Sequence, residues 1–200
     1  MPPVFVDPAK VREFEDRQAF WDWLAANHAT ADELWIKLHK KDSGLRSIHV
    51  KDALDVVLCW GWIDAIRKSH DDRSFLQRYT PRGKKSIWSQ INRDHVSRLI
   101  AAGEMQPVGL RQIELAKADG RWDAAYASAR TMELPDELLA AIEAEPAAFE
   151  MLQRLTAQNR FALAFRVHNL KTEEGRRKRV AAFVEMLKRG ETIYPNGKAK

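Results

Sequence analysis

The residues best suited to chemistry lie in the segment 60–88, which holds three of the seven tryptophans of the chain. The same segment carries arginines and lysines, which are seldom buried without a partner, whereas tryptophans bury readily. A segment that combines both kinds of side chain can form a groove with apolar walls and cationic groups. The candidate ligand-binding residues are therefore Trp62, Asp64, Arg78, Arg82, Lys84, Ser86 and Trp88.

The loop 80–86 is the cationic part of this segment. Arginine makes bidentate contacts with carboxylate or phosphate and stacks on aromatic rings, so Arg82 beside Trp88 is suited to anion binding. The alternative is a solvated loop in which Lys84 is simply exposed and Trp88 packs underneath as an anchor. Ser86 has no adjacent base in the sequence, so it is not expected to act as a nucleophile.

Asp64 lies in a mainly apolar stretch, on the same predicted strand face as Trp62. A carboxylate in such a place needs a partner or an edge position. One interpretation is structural, in which Asp64 pairs with Arg78 or Arg73 across a hairpin. The other is functional, in which Asp64 recognises a cation or acts as a general base.

Strong enzymatic motifs are absent from the sequence, which has no nucleophile elbow, phosphate-binding loop, dinucleotide fingerprint or zinc-protease signature. The six histidines are scattered, so we expect no metal and no cofactor. Cys59 is the only cysteine, and its apolar neighbours indicate a buried thiol. The sequence therefore leaves enzymatic activity uncertain and favours a protein that is not an enzyme.

The elements that must position these residues follow from hydrophobic periodicity. A helix is predicted from Asp16 to Asn27, a half-buried strand over residues 33–40, a helix over 48–60, and a β-hairpin over 62–67 and 74–79. Residues 1–12 are expected to be an extended lead-in. Asn92 is expected to cap the next helix.

The rest of the chain is predicted to be helical, with the clearest signals at its end. Thr172 is expected to cap a helix whose apolar positions 180, 183, 184 and 187 form one stripe. The fold class is thus α+β, with a small antiparallel sheet and covering helices followed by a mainly helical C-terminal portion. We expect an α+β portion at 1–90, a helical portion at 91–200, and disorder at 196–200.

Composition indicates a soluble globular protein, with 45% hydrophobic and 30% charged residues. No apolar run is long enough to span a bilayer and no secretory signal is recognised, so we expect no membrane insertion and a cytoplasmic location. The net charge of +5 is concentrated in two basic blocks, at 60–100 and 160–200. These blocks could mark an anion-binding face or neutralise the acidic block between them.

Several motifs resemble the bacteriocin-protection family, also described as YdeI/OmpD-associated, whose members are bacterial. The resemblance rests on residues 62–64, 75–82, 86–92, 96–103 and 116–122, and it continues through 160–190. Ala65 departs from it, because the family commonly has glycine after the aspartate. The family name refers to protection against bacteriocins and to a porin partner, which implies a role in envelope-stress tolerance. No catalytic residues are carried over from it.

Three hypotheses follow. The first is a non-enzymatic protein that binds a protein partner or a small anionic ligand through the segment 60–88. The second is an enzyme acting on an anionic small molecule, with Asp64 as the base and Arg78, Arg82 and Lys84 as an electrostatic clamp. The third is nucleic-acid binding through residues 82–85 and 176–179, which the absence of a recognised motif disfavours.

Overall fold

The computed structural model describes residues 4–128 and 131–196. The chain divides into two compact units, the first ending at Ala125 and the second beginning at Tyr126. The predicted class is confirmed: a small sheet with helices is followed by a helical part. Of the tail expected to be disordered, residues 197–200 lie outside the described residues.

The N-terminal unit is built on one four-stranded sheet. Its strands are β1 (Val11–Arg12), β2 (Leu34–His39), β3 (Trp62–Ser69) and β4 (Ser74–Pro81), in the order β1-β2-β4-β3. The β3–β4 hairpin confirms the prediction, and β4 also pairs antiparallel with β2. The sheet is nevertheless mixed, because the short β1 in the expected lead-in pairs parallel with β2.

In the described part of this unit, the sheet is accompanied by four α-helices, α1 (Arg17–Asn27), α2 (Val50–Cys59), α3 (Gln90–Ala101) and α4 (Pro107–Ala118), and by two short 3-10 helices, Pro8–Lys10 and Lys41–Ser43. Asp16 caps α1 as predicted, accepting a hydrogen bond from the amide of Ala19. The cap expected for α3 was wrong, because the hydroxyl of Ser89 accepts the amide hydrogen of Asn92. Both caps place a short polar oxygen against amides that have no partner within the helix.

The core of the N-terminal unit lies between one face of the sheet and the helices. Alternation in β2 directs Leu34, Ile36 and Leu38 into this core, as the period of two predicts. Trp35, which points to the other face, is fully buried as well. Aromatic side chains supply much of the core, namely Phe14, Phe20, Trp60, Trp62, Tyr79 and Trp88.

The compact units divide later in the chain than the predicted portions 1–90 and 91–200. Helices α3 and α4 add Val96, Leu99 and Ile113 to the core of the sheet. A Cβ at Gly109 would lie 2.2 Å from the carbonyl oxygen of Cys59, so the glycine permits a very close approach of α4 to α2. Helical content therefore changes near residue 90, whereas the packing unit continues to Ala125.

The C-terminal unit contains α5 (Asp136–Glu143), α6 (Pro146–Gln153), α7 (Ala157–His168) and α8 (Glu173–Lys188). Its core is mainly aliphatic and includes the predicted α8 stripe of Val180, Phe183, Val184 and Leu187. Thr172 caps α8 by accepting the amide hydrogen of Gly175, as predicted. The helices therefore bury one another's apolar stripes.

Candidate functional site

Both of the predicted ligand-binding tryptophans, Trp62 and Trp88, belong to the core. Trp62 is 1% exposed, and its indole Nε1 donates to the carbonyl oxygen of His28 at 3.2 Å. Trp88 is 2% exposed and lies edge-to-face with Trp122, with ring centroids 4.9 Å apart. Because both rings are covered, neither offers a free face on which a ligand could stack.

Arg82 is buried at the base of the loop 80–86. Its guanidinium carbon lies 3.5 Å from the ring centroid of Trp88, a close cation–π contact. Its Nη1 donates to the carbonyl oxygen of Ile87 at 3.4 Å, and its main-chain amide donates to that of Gly61 at 3.0 Å. Arg82 therefore joins the loop to the core, so its first role is to position the loop.

A tight turn closes this loop. The amide of Gly83 donates to the hydroxyl of Ser86 at 3.0 Å, and the amide of Ser86 donates to the carbonyl of Gly83 at 3.0 Å. The carbonyl of Ser86 accepts a hydrogen bond from Nη1 of Arg121 at 2.9 Å. Lys84 and Lys85 are exposed at the tip. The predicted Ser86 is thus a turn residue, while Lys84 reaches solvent.

Arg78 lies apart from the other candidates. The register of the hairpin places Asp64 opposite Tyr79, so the Arg78 side chain points to the other face of the sheet. There its Nε and Nη2 contact Oε2 of Glu33 at 2.7 and 2.6 Å. The proposed Asp64 pair with Arg78 or Arg73 was therefore wrong, since Arg73 instead donates to the carbonyl of Ser43.

Asp64 sits beside a β-bulge, where the register of β3 shifts between Asp64 and Arg67. Loss of water around its carboxyl raises the pKa of Asp64, although the residue is exposed and the charges of Arg82 and Arg67 act in the opposite direction. Burial, together with the negative charge of Asp64, raises the pKa of the Tyr79 hydroxyl. Bulges often occur near functional sites, because they redirect side chains.

The structure thus brings Asp64, Arg82 and Trp88 into one neighbourhood and leaves Arg78 outside it. Arg67 and Tyr79 join this neighbourhood and were missed by sequence reasoning. The two-residue alternation along β3 fails at the bulge, so Arg67 could not be assigned to the face of Asp64 beforehand. Its Nε donates to Oε1 of Gln77 at 2.9 Å, which fixes the arginine at the bulge.

A second polar cluster that sequence reasoning missed joins α2 to α3. One carboxylate oxygen of Asp55 lies 2.6 Å from Nδ1 of His95, and the other lies 2.5 Å from Nη2 of Arg98. Forty positions separate Asp55 from His95, so only the helix packing could reveal the contact. An aspartate that orients a histidine in this way leaves Nε2 as the ring nitrogen available for other contacts.

Cys59 is fully buried, as predicted, and burial raises the pKa of its thiol to about 12. Within the described ranges, no group of three or more histidine, cysteine, aspartate or glutamate side chains has the arrangement of a metal site. The same parts of the chain contain no helix with the length and apolar character needed to cross a membrane.

Two family matches divide the chain much as the packing does. Residues 12–112 match a family described as a domain of unknown function, DUF8412, and residues 131–190 match the family described as "Bacteriocin-protection, YdeI or OmpD-Associated". The DUF8412 match covers half of the chain, so the chain belongs to that family. The predicted resemblance to the YdeI/OmpD-associated family is confirmed over residues 131–190, while most of the motifs in the segment 60–88 and in α3 lie in the DUF8412 part. No curated protein and no solved structure matches the chain.

Proposed function

We propose that this protein acts by binding, without catalysis, and that the loop 80–86 with its flanking isoleucines binds an acidic protein partner. One observation carries the proposal: Arg82 is held against Trp88 inside the protein, while Lys84 and Lys85 are exposed at the tip of a closed turn. Neither lysine forms a salt bridge with any residue in the described ranges. The ammonium groups of Lys84 and Lys85 therefore project from a turn that Arg82 anchors to the core.

Exposed apolar side chains next to the loop favour a protein over a simple ion as the partner. Ile87 is 41% exposed and Ile91 is 46% exposed, so both leave apolar surface beside the two lysines. Apolar area with a charged rim is the usual composition of a binding surface. Because the turn is already formed, little conformational entropy is lost on binding. We infer a partner segment that offers carboxylates beside leucine-like side chains.

A binding assay with a defined probe tests this surface. The probe is a synthetic helical peptide with glutamates and leucines on one face, titrated by calorimetry at low and high salt. Reversing two charges in Lys84→Glu with Lys85→Glu should weaken binding at least about tenfold, and salt should weaken wild-type binding. The control Lys41→Glu with Arg46→Glu makes the same charge change elsewhere in the unit, and it should bind as the wild type does. Equal weakening in both double variants would contradict the proposal.

The description of the matched C-terminal family names bacteriocin protection and association with OmpD. As part of the proposal, this chain contributes to envelope-stress tolerance from the cytoplasm, where its partner would meet the loop. Cells lacking the gene should be more sensitive to a pore-forming bacteriocin, and the wild-type gene should restore tolerance. The Lys84→Glu, Lys85→Glu gene should fail to restore it at equal protein level, and fractionation would test the location.

The raised pKa of the exposed Asp64, beside the β-bulge, favours a second candidate function, in which this carboxylate is a general base. The bacteriocin-tolerance assay described above separates the binding protein from the enzyme. A binding protein should tolerate Asp64→Asn, which keeps the size of the side chain and removes its basicity. Loss of tolerance with Asp64→Asn at unchanged stability would favour the enzyme instead.

A further inference from the structure

The C-terminal unit contains a groove that the proposed function does not use. It lies between α5 and α8 and has a volume of about 420 Å³. Alanine and valine make up most of its lining, and the other lining side chains are charged. Ala144 of the α5 end and Ala181 of α8 are exposed, so small apolar side chains of both helices face solvent in the groove.

One end of the groove carries an excess of positive charge. Arg177, one turn before Ala181 on α8, lines this end and is exposed. Among the described residues it has no salt-bridge partner. Its neighbour Arg176 lies 3.7 Å from a carboxylate oxygen of Glu137, the first charged residue of α5 to line the groove. Two guanidinium groups therefore meet one carboxylate, which leaves Arg177 available to an acidic group from outside.

The other end carries an excess of negative charge. Glu185, one turn after Ala181, and Glu145, at the start of α6, both line it. They share one ammonium group, because Nζ of Lys188 lies 2.9 Å from Glu185 and 3.3 Å from Glu145. Two carboxylates therefore meet one ammonium group, and this end of the groove favours a cation from outside.

Helix α8 is complementary in charge to a second α8 that runs antiparallel to it. Four positions separate Ala181 from Arg177 in one direction and from Glu185 in the other, which is about 6 Å of helix each way. A two-fold axis at Ala181 therefore places Arg177 of one copy level with Glu185 of the other. By the same geometry, Glu174 comes level with Lys188. Both pairs are opposite in charge, and two-fold symmetry makes each of them twice.

The residues involved form one stripe along α8. Positions 174, 177, 181, 184 and 188 follow one another at intervals of three or four, the spacing of a helix–helix seam. The small side chain of Ala181 at the centre permits a close approach of the two helices. Exposed pairs within α8, such as Lys178 with Glu174 at 2.6 Å, add little stability and can be exchanged for pairs between copies.

We propose that the chain forms a two-fold dimer in which α8 of each copy packs antiparallel into the groove between α5 and α8 of the other. Arg177 of each copy contacts Glu185 of the other, and the two Ala181 side chains meet at the axis. A second copy is the occupant because α8 itself supplies both halves of the charge match. This surface is separate from the loop 80–86, and neither proposal depends on the other.

Sedimentation equilibrium of the intact chain between about 1 µM and 1 mM tests for the dimer. The wild type should pass from the mass of one chain to the mass of two. Arg177→Glu places like charges together at two points of the dimer, so it should raise the dissociation constant at least about tenfold, and Glu185→Arg should do the same. Circular dichroism checks that these exposed changes leave the fold intact.

The control Arg154→Glu makes the same charge change at the exposed C-terminus of α6, outside the groove lining, and it should dimerise as the wild type does. Equal weakening by Arg154→Glu and Arg177→Glu would overturn the proposal, because a general charge effect would then explain both. A wild type that stays monomeric at 1 mM would also overturn it. So would single variants that dimerise as tightly as the wild type, or a mass above that of two chains.

Mixing the two single variants gives the sharpest test. The Arg177→Glu chain carries acids at both positions and the Glu185→Arg chain carries bases at both, so an equimolar mixture should form a heterodimer near wild-type strength. Positions 177 and 185 lie about 12 Å apart along α8, so an effect within one chain cannot produce this rescue. A mixture that stays monomeric would exclude the antiparallel register. None of these outcomes bears on peptide binding at the loop 80–86.

Discussion

The N-terminal unit buries aromatic rings under a sheet, whereas the C-terminal unit buries aliphatic side chains between helices. The aromatic core includes polar atoms that lack a hydrogen-bond partner among the described residues, namely Trp60 Nε1, Tyr79 Oη and Trp88 Nε1. In the aliphatic unit, the buried Asn159 uses both ends of its amide in hydrogen bonds. Unsatisfied polar atoms cost stability. The aromatic core of the first unit therefore leaves buried polar atoms unpaired, whereas the second unit pairs its buried amide.

This contrast can be measured, because all seven tryptophans precede residue 123. Tryptophan fluorescence therefore reports on the N-terminal unit, and circular dichroism at 222 nm reports helices in both. The two buried clusters share no residue. We expect each core to give its own unfolding transition in urea.

The largest effect is expected for Trp88→Ala. This change removes a fully packed ring and the surface on which the Arg82 guanidinium rests. The free energy of unfolding of the N-terminal unit should fall by about 3–5 kcal/mol. Urea denaturation followed by the fluorescence of the other six tryptophans measures it.

Ile87→Ala is the matched control, because the neighbouring side chain is 41% exposed. It should change the free energy of unfolding by no more than about 0.5 kcal/mol. A loss below about 1 kcal/mol for Trp88→Ala would mean that the ring carries little of the packing. That result would contradict the claim that Arg82, packed on Trp88, anchors the loop 80–86 to the core.

Leu187→Ala tests the other side of the comparison. Leu187 is fully buried among the aliphatic residues of α8 and its neighbours. The loss should be about 2–5 kcal/mol in the transition seen by circular dichroism. The exposed Glu185→Ala on the same helix is the control. If the fluorescence midpoint moves as far as the dichroism midpoint, the units unfold together and the comparison fails.

Asn159→Ala should have a smaller effect. The Asn159 amide nitrogen donates to the carbonyl of Tyr194 at 3.0 Å, and its oxygen accepts the amide of Tyr194 at 2.9 Å. Removing it takes the partner from the Tyr194 amide and leaves the Tyr194 carbonyl with the Thr192 hydroxyl alone, at a cost of about 1–3 kcal/mol. Asn169→Ala, at the exposed end of α7, should cost less. Thermal denaturation followed at 222 nm compares them, and equal losses would show that the buried amide adds nothing special.

Much of the fold could be predicted from local patterns, because periodicity and capping act over a few residues. The hairpin, α1 and the α8 stripe are examples. The parallel pairing of β1 could not be predicted, because a two-residue strand has no periodicity of its own. For the candidate site, sequence reasoning found Asp64, Arg82 and Trp88, but it offered Arg78 as a partner of Asp64, whereas Arg78 pairs with Glu33. A groove of about 700 Å³ at the end of β2 also escaped it, since that groove depends on how β2, α1 and α2 meet.

The smallest effect on stability is expected for Asp64→Asn. Because loss of water raises the pKa of Asp64 above its ordinary value of 3.8, the folded protein holds this proton more tightly than the unfolded chain does. Ionised Asp64 therefore lowers stability at neutral pH, and this cost disappears as the pH falls below 3.8. Asp64→Asn should make the N-terminal unit slightly more stable at pH 7 and leave it unchanged near pH 3. A decrease at pH 7 would instead show that Asp64 supports the hairpin through Arg82 or Arg67, in which case this polar group is kept for structure and not for recognition.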